Sequence, residues 1–324
     1  MNKLTIKQYI LKFQSIIALL VMCIAMSFLS DRFLTVENTW NVMRQISVNL
    51  IISVGMTLVI LTKGIDLSVG SVLAIAGAVT ASIVKFGAEI PSMNVYLQFT
   101  LVGAIAGGIL AGVLLGGFNG LMITRFKVPP FVATLAMLTI ARGMTMLWTG
   151  GFPITGMTKE MAFIGTGWFL GIPMPVWISA VVVLIAVLVT KRTQLGRHIY
   201  AVGGNETAAR LSGLKIERIK LIVYSVAGAM AAIAGILVTS RLDSAQPNAG
   251  AGYELDSIAA VVIGGTSLSG GKGSVMGTVQ GALIIGVLNN GLVLLNVSPF
   301  WQQIIKGLVI LIAVGIEKIN SKEE

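Results

Sequence analysis

Apolar residues in this chain come in long unbroken runs, without the alternation of half-buried strands or the one-faced stripe of soluble helices, so run length is the informative signal. Apolar windows fall at 15–30, 46–62, 71–86, 97–118, 131–149, 175–190, 221–240, 255–267, 275–295 and 302–316. A helix that crosses a bilayer takes about 20 residues, so the pattern predicts about ten transmembrane helices, the eighth window being too short to cross alone. That window adjoins GGTSLSGGKG at 264–273, irregular backbone that a membrane tolerates only where protein or water covers it. The expected architecture is all-α and polytopic, one transmembrane domain over residues 1–324.

Composition agrees: 55% of residues are hydrophobic and 11% charged, roughly half the charge of a soluble protein. Ten spans leave no room in 324 residues for a large soluble domain, which excludes a fused ATPase or receptor. The 23 Lys and Arg outnumber 13 Asp and Glu, an excess that reads as positive-inside loops and not as a nucleic-acid surface. With the N-terminus inside, 16 of the 23 fall on cytoplasmic segments, including Lys63, Arg125, Lys127, Lys272 and seven within 191–220. This predicts cytoplasmic termini and an even number of spans. If the eighth segment did not cross, the C-terminus would lie outside. Lys3, Lys7 and Lys12 precede an apolar run containing Ala25, Met26 and Ser27, as in a cleavable signal peptide. The further span that follows argues for a retained anchor. With Cys23 and His198 the sole residues of their types, a disulfide framework, a thiolate zinc site and a Cys/His nucleophile pair are excluded within the chain, and no metal site is expected.

Two Gly-broken gaps, GIDLSVGSV at 64–72 and GTSLSGGKGSV at 265–275, separate short spans of the same predicted orientation. Paired interruptions point to a transporter's substrate path; tight Gly/Ser turns account for them equally well. Asp66 and Ser68 lie in the first gap. A carboxylate at membrane depth is a functional candidate, although Asp66 is also placed to cap the third helix through backbone N–H groups near Ser68 and Val69. Arg142 sits mid-span and needs an interior partner. Asn119, Asn289 and Asn290 end or interrupt apolar runs, where amides serve sugar hydroxyls or, more commonly, interhelical hydrogen bonds. The substrate-path candidates are thus Asp66, Ser68, Asn119, Arg142, Asn289 and Asn290.

The sole Gly-Lys pair, Gly271-Lys272, fails the phosphate-loop pattern G-x-x-x-x-G-K-[ST]: Thr266 replaces the first Gly and Gly273 follows the Lys. ATP and magnesium, if used, belong to a partner. The most polar internal stretch is 191–220. Within it Asn205 can cap a short helix over 207–212, with Gly203-Gly204 before and Gly213 after as punctuation. Such a helix can dock another protein. The chain has no Ser/His or paired-Asp constellation within its spans, and few membrane acids for proton coupling.

The strings GMTLVILTKGIDLSVGSVLAIAGA (55–78), GRHIYAVGGNETAARLSGLKIERIK (196–220), SAQPNAGAGYELDSIAAVVIGGTSLSGGKGSVMGT (244–278) and LNNGL (288–292) closely resemble the membrane permeases of bacterial ribose ABC importers. These sit within the wider ribose, xylose, arabinose and galactose permease family. The resemblance implies a homodimeric, multi-pass inner-membrane permease of the type II importer class that moves D-ribose or a related small sugar. It would be served by a separate ATPase and a periplasmic sugar-binding protein. It implies that Gly203, Gly204, Asn205, Glu206, Arg210 and Gly213 belong to the coupling helix that seats in the ATPase. The binding protein would then rest on the external loop carrying Asp243, Gln246, Glu254 and Asp256.

Overall fold

The structure is a computed structural model that describes residues 6–90 and 95–320, so Lys3 and Lys322, two of the 16 charges counted for orientation, lie outside the described residues. The helices are α1 (Ile6–Leu29), α2 (Val36–Leu61), α3 (Val69–Phe86), α4 (Leu101–Arg125), α5 (Pro130–Thr149), α6 (Lys159–Thr166), α7 (Met174–Arg192), α8 (Gln194–Gly204), α9 (Glu206–Leu211), α10 (Ile216–Leu242), α11 (Tyr253–Ile263), α12 (Val275–Leu294) and α13 (Pro299–Asn320). The strands are two- or three-residue pieces in antiparallel pairs: β1 (Ala88–Ile90) with β2 (Val95–Leu97), β4 (Trp168–Phe169) with β5 (Ile172–Pro173), and β3 (Ile154–Thr155) with β6 (Ser244–Ala245).

Every apolar window returns as a helix. Among the described residues seven are long and apolar enough to cross a membrane: α2, α3, α4, α5, α7, α10 and α12. Ile16–Leu29 of α1 and Pro299–Gly315 of α13 form shorter apolar helices. Boundaries follow local chemistry. Thr35, Thr100, Thr158, Thr193 and Ser274 each accept a backbone N–H in the first turn of the helix they precede, and proline opens α5 and α7. The Thr35 cap starts α2 at Val36, ten residues before its apolar window, because the polar first turns extend beyond the apolar band.

α2 is the central helix, with 89% of its most apolar stretch buried, as an all-round hydrophobic helix requires. It packs on α10, α12, α11 and α7. The most extensive helix pair is α4 with α10. There Gly112 and Gly116 face Gly228, and a Cβ on any of the three would collide with a carbonyl of the opposite helix. Small residues let these backbones touch, which is how membrane helices associate where lipid is as apolar as leucine.

α11 has 11 residues, about 16 Å at 1.5 Å per residue, half of a hydrocarbon core. Its flanks nevertheless lie at opposite ends of the bundle. Before it, β6 follows the C-terminal end of α10 and pairs with β3. After it, the Gly271 N–H donates to the Leu61 carbonyl at the C-terminal end of α2 (3.0 Å). α2 and α10 run antiparallel, since Gly55 abuts Ala227 and Met230 while Gly64 abuts Tyr224. The C-terminal end of α2 therefore lies beside the N-terminal half of α10. Residues 243–263 traverse the bundle as a non-helical stretch followed by a short helix.

Candidate functional site

The residues singled out by sequence fall into separate places. The first is the polar turn between α7 and α10. Asn205, extended at φ −150°, caps α9 by accepting the Ala208 N–H at 3.0 Å. The helix ends at Ser212, and Gly213 follows with φ +84° and its N–H on the Arg210 carbonyl at 3.0 Å. Only glycine enters that conformation readily. Gly203 and Gly204 do not merely punctuate: they are the last turn of a further helix, α8, which the sequence reading missed by taking two glycines for a break. Gly204 faces open space, whereas a Cβ on Gly203 would strike the Leu61 carbonyl and the Gly271 nitrogen.

Charges knit this element to its neighbours. Glu206 meets Lys220 at 2.7 Å, Arg210 meets Glu217 at 2.8 Å, and Lys127 at the α4–α5 turn approaches Glu217 at 3.7 Å. A pocket lined by Thr124, Lys127, Pro129, Glu206, Arg210 and Lys220 opens there. Arg210 is therefore engaged within the chain, paired with Glu217 and 3.9 Å from Glu206. On α9 Leu211 is 85% exposed, an apolar knob on a charged surface.

The second place is the start of α3. Asp66 is 1% exposed, and one carboxylate oxygen accepts both the Ser68 N–H (2.9 Å) and the Ser68 hydroxyl (2.6 Å). The Asn119 amide of α4 donates to the same hydroxyl at 2.9 Å, and its own Oδ1 is buried without a hydrogen-bond partner. Asp66 thus organises the turn that precedes α3 through Ser68; Ser68 itself holds the N-cap position, and α3 takes no side-chain capping bond there.

The third is the non-helical stretch before α11. Arg142, half-buried on α5, donates from one guanidinium nitrogen to the Pro247 carbonyl (2.7 Å) and the Ala249 carbonyl (2.9 Å). These are the interior partners a mid-span arginine needs; they satisfy carbonyls that no helix satisfies. Glu254 lies within electrostatic reach of Arg142 and beside Gly70 in the first turn of α3.

The fourth corrects the expected docking loop. Asp256 does not face outward: it is 4% exposed, and its carboxylate takes Lys306 of α13 at 3.0 Å and the Asn289 amide at 3.3 Å. Glu254 is also drawn into the bundle. The resemblance implied an external loop here, but residues 247–252 carry the chain inward, where Arg142 holds the Pro247 and Ala249 carbonyls. Asp243 and Gln246 remain near the surface, Asp243 ending α10 at φ +51° and accepting the Met157 N–H at 2.8 Å, and Gln246 bonding Ser244 at 3.0 Å. Asn290 exchanges hydrogen bonds with Asn38 at 2.8 and 3.1 Å, which commits it to holding α12 on α2. Asn289 keeps a buried Oδ1 without a hydrogen-bond partner.

The substrate-path candidates are thus not one cluster: Asp66, Ser68 and Asn119 meet; Arg142 stands with residues 247–254; Asn289 stands with Asp256. Lys306 was missed, although the rule that singled out Arg142 applies equally to a lysine inside the 302–316 window. Tyr200, whose hydroxyl donates to the Gly273 carbonyl at 2.9 Å, left no sequence signal, since its partner is 73 residues away.

Residues 38–314 match the family described as branched-chain amino acid transport system / permease component. The chain is 51% identical over 313 residues to the ribose import permease protein RbsC of Haemophilus influenzae, covering 95% of this chain and 94% of that one. It is 50% identical to the ribose import permease of Escherichia coli strain K12 (98% and 96% covered) and 33% identical to the xylose transport system permease protein of Haemophilus influenzae (96% and 97% covered). No solved structure matches.

Proposed function

The chain belongs to the branched-chain amino acid transport system / permease component family, and on that premise we propose that it is the membrane-spanning subunit of an ATP-driven importer of D-ribose. The observation that carries the reading is likeness over nearly the whole chain to ribose import permeases, well above the likeness to the xylose permease. In this reading two copies form the translocation path and a periplasmic binding protein delivers the sugar. A separate ATPase supplies ATP and magnesium, because the Gly-Lys pair here departs from the phosphate-loop pattern and its Gly271 N–H already serves Leu61. The path carries a neutral polyol.

The ATPase docks on α8 and α9, with Leu211 as apolar anchor and the ion-paired surface of Glu206, Arg210 and Glu217 as its rim. Gly213→Glu would force a side chain into a left-handed backbone, at roughly 1–2 kcal/mol, enough to distort the end of a six-residue helix while leaving the rest folded. Arg210→Glu would set a third carboxylate against Glu206 and Glu217. Wild-type protein extracted in mild detergent should retain the ATPase, and either variant should retain at most about a fifth as much at unchanged membrane levels, an effect of about 1 kcal/mol. Full retention by both variants would remove the docking assignment.

Residues 243–263 count as a crossing, made of non-helical backbone and a half-length helix, so ten crossings leave both termini in the cytoplasm. With Cys23→Ser, single cysteines replacing Asn2 and Glu324 should react with an impermeant thiol reagent only after the inner membrane is opened. Labelling of the Glu324 position in cells whose outer membrane alone is permeable would overturn the count.

A further inference from the structure

The docking element touches more than the helices that flank it. α8 lies against the loop that joins α11 to α12, residues 264–274, and three contacts fix it there. The Tyr200 hydroxyl donates to the Gly273 carbonyl at 2.9 Å. Gly203 is so close that a Cβ would overlap both the Leu61 carbonyl and the Gly271 nitrogen, and a Cβ on Gly271 would press on Gly204. The Gly271 N–H, in turn, holds Leu61 at 3.0 Å. Thus the end of α8, the end of α2 and this loop share one backbone junction.

What lies beyond the loop is packed as a unit. α11 and α12 are pressed backbone to backbone, Gly264 against Gly277 and Gly281 against Ala260, with no side chain between them to yield. The far end of α11 is continuous with the non-helical stretch whose carbonyls Arg142 holds. Packed elements of this kind shift as rigid bodies and not by gradual deformation. A push on the 264–274 loop is therefore delivered at the non-helical part of the path. Two further links of the docking element, Glu206 to Lys220 and Arg210 to Glu217, run to α10, which is locked to α4 by its glycines.

We propose that Tyr200 is a positioning residue that fastens the ATPase-docking element to the α11–α12 hairpin, so that displacement of α8 and α9 during the ATP cycle is transmitted to the non-helical stretch 246–252. The proposal rests on the docking reading given above. Burial pushes the Tyr200 phenol above its ordinary pKa, so the hydroxyl remains a donor throughout the physiological range. The Gly203 contact excludes a side chain and forms a pivot; the Tyr200 hydrogen bond fixes the direction of pull.

The test uses the full complex of this chain, its ATPase and its ribose-binding protein in proteoliposomes, with labelled D-ribose uptake and ATP hydrolysis measured in the same preparation. Tyr200→Phe keeps the ring and removes only the donor. Ribose moved per ATP hydrolysed should fall about two- to tenfold, the range one neutral hydrogen bond spans. Tyr200→Ala should fall at least as far. A ratio in Tyr200→Phe equal to wild type, with only Tyr200→Ala impaired, would assign the residue to packing and overturn the proposal. If the wild-type complex itself shows no hydrolysis stimulated by ribose-loaded binding protein, the docking reading fails and this inference fails with it. Coupled wild type and equally coupled Tyr200→Phe overturns this inference alone.

Discussion

Lys306→Ala is expected to destabilise the protein by about 3–5 kcal/mol, the cost of stranding a buried charge when its partner is removed. The Asp256 side chain is 6% exposed and Lys306 is its ion-pair partner at 3.0 Å. The remaining donor, the Asn289 amide at 3.3 Å, is neutral and long. Asp256→Asn should cost less, because the Lys306 side chain is 30% exposed and its flexible stem can carry the ammonium outward. The double variant Asp256→Asn, Lys306→Met should recover most of the loss, since replacing both members of a buried pair with neutral groups of similar size is often harmless. Thermal unfolding in detergent, followed by loss of the monodisperse peak, reads all three. A double variant no more stable than Lys306→Ala would mean that this contact is not what binds α13 to the bundle.

Gly228→Val should prevent accumulation of folded protein altogether. Overpacking costs about 1–3 kcal/mol where side chains can move aside. At Gly228 the obstacles are the Gly112 carbonyl and the Gly116 Cα, which are backbone, on the most extensive helix pair of the structure. Gly143 on α5 is the control, because a Cβ there meets nothing within 4 Å. Gly143→Ala should express normally and gain about 0.5–1 kcal/mol from better helix propensity. Membrane-fraction yield and gel-filtration profile separate the two; equal behaviour would show that the α4–α10 approach is looser than the structure has it.

Run length alone located the seven helices that, among the described residues, are long and apolar enough to cross a membrane, because a bilayer imposes a length requirement that an apolar window reports directly. Helix α9 was legible too, since Asn205 and Gly213 are local capping signals that act within a few residues. The path of 243–263 was not. Gly and Pro mark departure from helix but not whether the chain turns outward or inward, and what draws this stretch in is Arg142, more than a hundred residues earlier. The same limit hid Tyr200 and the Asn38–Asn290 pair, whose meaning exists only once α8 meets the 264–274 loop and α12 meets α2. Lys306 differs: its depth in an apolar run was visible in the sequence, and only its partner required the fold.

The measurement closest to the central claim is uptake of labelled sugars by proteoliposomes holding this chain with its ATPase and candidate binding proteins. D-ribose with its binding protein should accumulate only with ATP, be blocked by vanadate and be indifferent to a protonophore, while xylose, arabinose and galactose with theirs stay at background. Ribose uptake that collapses with the proton gradient would contradict an ATP-driven permease, and ATP-dependent uptake of another sugar in place of ribose would contradict the substrate.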